Sequence, residues 1–150
     1  MTIEPEGITP ISTGVSKKGL IEEIPVEECF GLLETKSVGR LVIVVADEPD
    51  VFTVNYIVDG TNLVFRTEYG LKLMQSVLQR IAFQVDDIDE TRREGWSVVL
   101  RGVGEEISED LVDRTAAARD AILETWAAGY RERWVRVVPR IVTGRRLVHR

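Results

Sequence analysis

Cysteine is almost absent: Cys29 is the single one in 150 residues, so an internal disulfide is impossible and no cysteine set exists for a structural zinc. That usage fits a reducing cytoplasm. Histidine is as scarce, with His149 alone and next to last, which leaves a His-based triad or a His-rich metal site nothing to build on. Basic charge is in deficit too. Nineteen Lys and Arg face 25 Asp and Glu, for a formal net charge of −6, and that balance opposes generic attraction to nucleic acid or to an anionic membrane. No apolar run approaches the roughly 18 residues of a membrane span. The opening MTIEPEGITP carries acids where a signal peptide has a basic segment and an apolar stretch. The expectation is a cytoplasmic protein that binds neither membrane nor nucleic acid.

What the chain does have is apolar mass. With 44 % hydrophobic residues it can bury one core, and it is too short for two ordinary domains. Residues 1–19 mix Gly, Pro, Ser and Thr without a sustained period and read as a flexible arm. Residues 20–150 read as one domain. After Pro25, Val26, Phe30 and Leu33 recur at helical spacing, with Glu27 and Glu28 near the positive end of the helix dipole. RLVIVVA, residues 40–46, is so uniformly apolar that it predicts a central strand covered on both faces.

VFTVNYIV (51–58) and NLVFRT (62–67) flank Asp59 and Gly60, a tight-turn signal that predicts a hairpin. A short helix is expected over 69–77. Strands follow over 80–88 and 95–107, joined by the polar DETRRE. Ser108 is placed to cap a second helix with Leu111, Thr115, Ala118, Ile122 and Trp126 on its apolar stripe and Gly129 as its stop. The alternating tail ERWVRVVPRIVTGRRLV supplies a last strand or two, with Pro139 at a bulge or edge. Short strands with two peripheral helices predict a mainly β protein, a small antiparallel barrel rather than a doubly wound sheet.

Few residues are placed for chemistry. VFRTEYGLKL sets Arg66 near a strand end, Gly70 at a tight passage and Lys72 in the first turn of a helix. A guanidinium, an ammonium and free backbone N–H groups make a phosphate site; the competing reading is two solvated charges beside Glu68. Asp86, Asp87, Asp89 and Glu90 lack the glycine and distal glutamate of a calcium loop and read as a solvated strand end. Cys29, on an amphipathic helix with no cationic neighbour in sequence, reads as a small buried thiol.

The segments GRLVIVVADEPDVFTVNYIVDGTNLVFRTEYGLKL, IAFQVDDID, GWSVVLRGVGEEI and IVTGRR, in that order, resemble the pyridoxamine 5′-phosphate oxidase-like flavin-binding split barrels, above all the small actinobacterial-type members. The resemblance runs from about Pro25 to Arg146. It implies a six-stranded antiparallel split β-barrel, a homodimer, and FMN in the groove between subunits. It implies phosphate binding by Arg66, Thr67 and Lys72, within a contact segment that takes in Phe65, Gly70 and Leu71. Asn55 and Tyr56 match the strand running beside the flavin ring; Trp96 and Ser97 match a segment that reaches the cofactor from the partner subunit, with Arg101 facing the same groove.

The chain departs from the family pattern at three positions. Thr53 replaces a common Pro, Leu71 replaces a Ser or Thr beside the Lys, and Gln84 replaces the Glu of a Phe-Glu-Val-Asp segment. The resemblance implies an FMN-dependent oxidoreductase acting on a small molecule. Two rivals stay open: an F420-dependent reductase of the same fold, and a non-catalytic flavin- or haem-binding sensor, the haem version weakened by a lone terminal His149.

Overall fold

A computed structural model describes residues 20–67, 80–107 and 133–149. The arm expected over 1–19, the helix over 69–77 and the helix from Ser108 to Gly129 lie outside the described residues, and so do Gly70, Leu71 and Lys72. Seven strands and one helix are described: β1 (Leu20–Ile24), α1 (Val26–Glu34), β2 (Val38–Val45), β3 (Glu48–Asp59), β4 (Asn62–Thr67), β5 (Arg80–Asp89), β6 (Glu94–Ile107) and β7 (Arg133–Val148).

All pairings are antiparallel. The strand order is β1-β7-β4-β3-β2-β5-β6, and β6 returns to pair with β7. Strands β2 to β7 therefore close a six-stranded ring, the expected barrel, with β1 added outside it. One edge of β7 pairs with β6 along nearly its whole length; the other pairs with β4 through Val137 and with β1 only from Gly144 onward. Between those two partners the register slips: Arg101 faces Ile141 but Gly102 faces Pro139, leaving Arg140 as the extra residue of a bulge. Proline, which has no N–H for the ladder, sits where the sequence pattern put a bulge or edge.

Turn chemistry matches the hairpin expectation. Asp59 pairs with Asn62 across Gly60, whose φ of 61° is open to glycine at no steric cost. The β2–β3 turn uses the same hand without glycine, at Ala46 (φ 50°) and Asp47 (φ 66°).

The interior is filled by alternate residues of each strand. Leu41, Ile43, Tyr56, Phe65, Phe83 and Leu100 are all buried in one cluster. Phe83 sits at its centre, edge-on to Tyr56 at 5.3 Å and stacked with Phe65 at 6.1 Å. Two expectations are corrected. In α1 the buried residues are Cys29 and Leu33, with Phe30 partly buried and Val26 half exposed; the helix is rotated because Cys29 and Leu33, four apart, share one side. In β2 Gly39, Leu41 and Ile43 are buried, while Val44 is 54 % exposed. The strand is central in order, between β3 and β5, but its outward face is bare within one chain.

Two ties hold α1 on the barrel. The Tyr56 hydroxyl donates to the Leu33 carbonyl at 2.5 Å, and Arg146 of β7 donates to Glu28 at 2.6 Å. At the chain end, a ring nitrogen of His149 lies 2.9 Å from the Arg93 carbonyl, so this next-to-last residue is anchored. Among the described residues no helix is long and apolar enough to cross a membrane.

Candidate functional site

Pairing register decides which outward residues are neighbours, because residues opposite one another in a ladder share a face. One outward row runs Val51, Val42, Ala82, Arg101, Ile141 across β3, β2, β5, β6 and β7. Val51, Val42, Ala82 and Ile141 give it an apolar floor. Val44 and Arg80 lie one step along, and Arg140 rises from the bulge. All of these side chains except Val51 bound an open hollow of about 430 Å³.

Arg80, Arg101 and Arg140 are exposed, and no ion pair within the described residues engages any of the three. In a chain of net charge −6, that is a local excess of positive charge over an apolar floor. It suits a flat ligand with an apolar body and anionic groups at its margin.

Further along the same face, the row through Asn55 and Val38 in β3 and β2 leads toward Asp86, Ser97 and Arg145 in β5, β6 and β7. Here the floor is polar. Gln84 donates through Nε2 to Asp86 Oδ2 at 2.9 Å and to Ser97 Oγ at 3.2 Å. Arg40, paired with Gln84 in register, reaches Asp86 at 3.7 Å. Asn55 donates its side-chain amide to the Ser37 carbonyl at 3.3 Å, and the Tyr56 N–H bonds to the same carbonyl at 3.0 Å. Asn55 thus makes the strand-edge bond that competes with a cofactor role. Three interstrand steps separate Asn55 from Ser97, about 14 Å along the sheet.

The residues expected at the cofactor therefore divide. Asn55 and Ser97 share the outward face, both partly buried. Trp96 is on the other face of β6, partly buried and packed against the main cluster, opposite Asp87 and Arg146 in register. Tyr56 and Phe65 are fully buried in the barrel interior. A flavin ring on the outside of the barrel would meet the backbone of these two strands, not their aromatic rings, which the core already uses. Register sets Arg66 opposite Trp134 and Thr67 opposite Arg133; Gly70, Leu71 and Lys72 fall outside the described residues.

Burial tells against chemistry at two titratable groups. It pushes the Tyr56 phenol well above its usual range. It also pushes the Cys29 thiol up, with Glu28 adding to the shift; Cys29 is fully buried and its thiol lies 3.6 Å from the Ile24 carbonyl, so it is the small core thiol expected. The acidic run is a strand end: Asp87 pairs with Lys36 at 2.9 Å and Asp89 accepts from the Arg92 N–H at 2.9 Å. Among the described residues no group of His, Cys, Asp and Glu could hold a metal ion.

Sequence reasoning passed over Arg40, Val42, Val44 and Arg80. The first three stand in RLVIVVA, whose uniform apolar character hid which residues face outward. The alternation of arginine with small apolar residues in Arg80-Ile81-Ala82 was the available signal for the last.

The sequence profile of the pyridoxamine 5′-phosphate oxidase family matches residues 25–146. The chain belongs to that family. The chain is similar to other proteins over most of their own length. An uncharacterised protein of Mycobacterium tuberculosis is 31 % identical over 134 residues, covering 85 % of this chain and 86 % of the relative. Among solved structures, an FAD-binding protein from Mycobacterium smegmatis is 29 % identical with a TM-score of 0.65, over 85 % of this chain and 98 % of that one. A conserved protein of unknown function from Corynebacterium diphtheriae is 32 % identical with a TM-score of 0.69, over the same shares. Family membership accounts for the split barrel; within one fold the ligand is decided by the site and not by the fold.

Proposed function

We propose that the protein is a flavin-dependent oxidoreductase that works as a homodimer, with FMN in a groove between the two outward faces and a small molecule as the partner in electron transfer. The observation that carries this reading is the arginine-bounded apolar hollow around Val42 and Ala82. A flavin needs an apolar shelf for its ring and cations for its phosphate, and this face offers both. When bound, the flavin supplies hydride transfer at its N5, chemistry that no side chain here could perform.

The chain's own contribution is binding and exclusion of water. Val42, Val44, Ala82 and Ile141 would lie against the ring; Arg66, Thr67 and Lys72 would hold the phosphate, as the family resemblance implies. Asn55 and Ser97 are about 14 Å apart along the sheet, too far to clasp one small group in a single chain. Contributions from two chains resolve that distance. A dimer would also cover the exposed Val44, Val51 and Ile141, which are 54 %, 63 % and 54 % exposed in one chain.

The similarity to an FAD-binding protein of Mycobacterium smegmatis favours a second reading of the cofactor, in which FAD replaces FMN and its second phosphate meets Arg101 or Arg140. Titration of the purified protein with FMN, FAD, F420 and haem, followed by visible absorption, separates these readings. Saturable flavin binding, and reduction of the bound flavin by NADH or NADPH without oxygen, is the expected result. Binding of haem or F420 with no flavin binding would contradict it.

A further inference from the structure

We propose that Gln84 is a positioning residue that fixes the hydrogen-bond polarity of Ser97, so that the Ser97 hydroxyl is presented to the bound flavin as a donor. This rests on the flavin reading above. The inference starts from a nitrogen whose identity the chemistry settles. Asp86, an ionised carboxylate, can only accept, so the end of the Gln84 amide that lies 2.9 Å from Asp86 Oδ2 must be the NH2 group. That same nitrogen lies 3.2 Å from Ser97 Oγ and uses its second hydrogen there. Ser97 is therefore an acceptor on the side of the barrel wall. Among the described residues no acceptor bonds its own proton, and the register sets Ser97 on the outward face.

The arrangement is held from several sides. Arg40 of β2 reaches Asp86 at 3.7 Å. Val99 and Ser97 of β6 carry no charge, and Arg145 of β7 is opposite Ser97 in register. Lys36 is occupied with Asp87 at 2.9 Å. A glutamate in place of Gln84 would reverse the device: its carboxylate would accept from Ser97, draw the hydroxyl proton inward and turn a lone pair toward the ligand. The Asp86 carboxylate beside it would favour the protonated form of the new carboxyl and Arg40, opposite it in register, the ionised form, so the reversal would follow the titration of that carboxyl.

FMN affinity measured from pH 5 to 9 tests this, using wild type, Gln84→Glu, Gln84→Met, Ser97→Ala and the double variant Gln84→Glu with Ser97→Ala. Wild type, Gln84→Met and Ser97→Ala are expected to share one pH dependence, with both variants weaker than wild type at every pH and Ser97→Ala by about three- to tenfold for want of the hydroxyl. Gln84→Glu is expected to bind as wild type at the acid end and to lose about three- to tenfold at the alkaline end, the worth of one neutral hydrogen bond. The double variant is expected to lose that extra pH dependence, which a purely structural role for Gln84 would leave in place. A Gln84→Glu profile parallel to wild type, or an extra dependence that persists without the Ser97 hydroxyl, would overturn the inference while leaving the flavin reading intact. Failure of wild type itself to bind flavin would remove the reading and the inference with it.

Discussion

The hydroxyl of Tyr56 donates to the carbonyl of Leu33 at 2.5 Å, from a fully buried ring set edge-on to Phe83. This one bond joins the end of α1 to the barrel interior. Tyr56→Phe keeps the ring and deletes the bond; because the Lys36 N–H also donates to Leu33, the carbonyl keeps a partner. The expected cost is about 1 kcal/mol, measured by urea denaturation.

The same residue predicts an alkaline limit. The folded-state phenol is raised above its usual value of 10.0 because burial disfavours the anion. Its contribution to stability is therefore complete below about pH 10 and declines as pH rises further, since the unfolded chain releases the proton first. Cys29, also raised, adds to that decline. Stability measured from pH 8 to 11 should fall at the alkaline end in wild type and fall less in Tyr56→Phe.

Glycine substitutions give a contrast between two sites. At Gly102 a β-carbon would collide with the Val138 carbonyl, backbone atoms at the β7 bulge that cannot step aside. Gly102→Ala is expected to cost on the order of 2 kcal/mol or more. At Gly31, inside α1, a β-carbon meets nothing within 4 Å, so Gly31→Ala should stabilise by roughly 0.5–1 kcal/mol through helix propensity. Thermal unfolding of the two variants checks both signs.

Much of this architecture was legible in the sequence because it depends on local signals. Asp59-Gly60 marks a turn, Pro139 marks a bulge, and alternation in 80–88 and 95–107 marks strands. β1 was not legible: LIEEI is short, and only Ile24 is buried, so its pairing with the end of β7 is decided by tertiary contact alone. The outward hollow was missed for a related reason. In RLVIVVA both faces are apolar, and hydrophobicity cannot separate a face turned to the core from one awaiting a partner. Charge patterning drew attention to Arg66 and Lys72, whereas Arg80, Arg101 and Arg140 are brought together by register across three strands.

The bare face of β2 predicts what breaks the assembly without breaking the fold. Val44 and Ile141 are each 54 % exposed in one chain, so Val44→Lys with Ile141→Lys should leave the circular dichroism of the barrel unchanged. Light scattering should report a dimer for wild type and a monomer for the double variant, with flavin affinity lost alongside. A wild-type monomer with flavin bound would contradict the two-chain groove.

Phosphate anchoring is separable from ring packing by ligand choice. On the proposed reading, Arg66→Ala with Lys72→Ala would remove two charge-assisted contacts, each worth about 1.5–3 kcal/mol, and should weaken FMN by roughly a hundredfold or more on that basis. Riboflavin, which has no phosphate, should change little. Equal losses for the two ligands would mean that the pair acts through folding.

The central claim is that this barrel holds a flavin on its outward face, and a flavin titration of the purified protein tests it most directly. The account predicts saturable binding of FMN or FAD at one flavin per chain, with the shifted visible bands of a protein-bound ring. No binding of either flavin up to about 100 μM, an affinity weaker than roughly −5.5 kcal/mol, would contradict it.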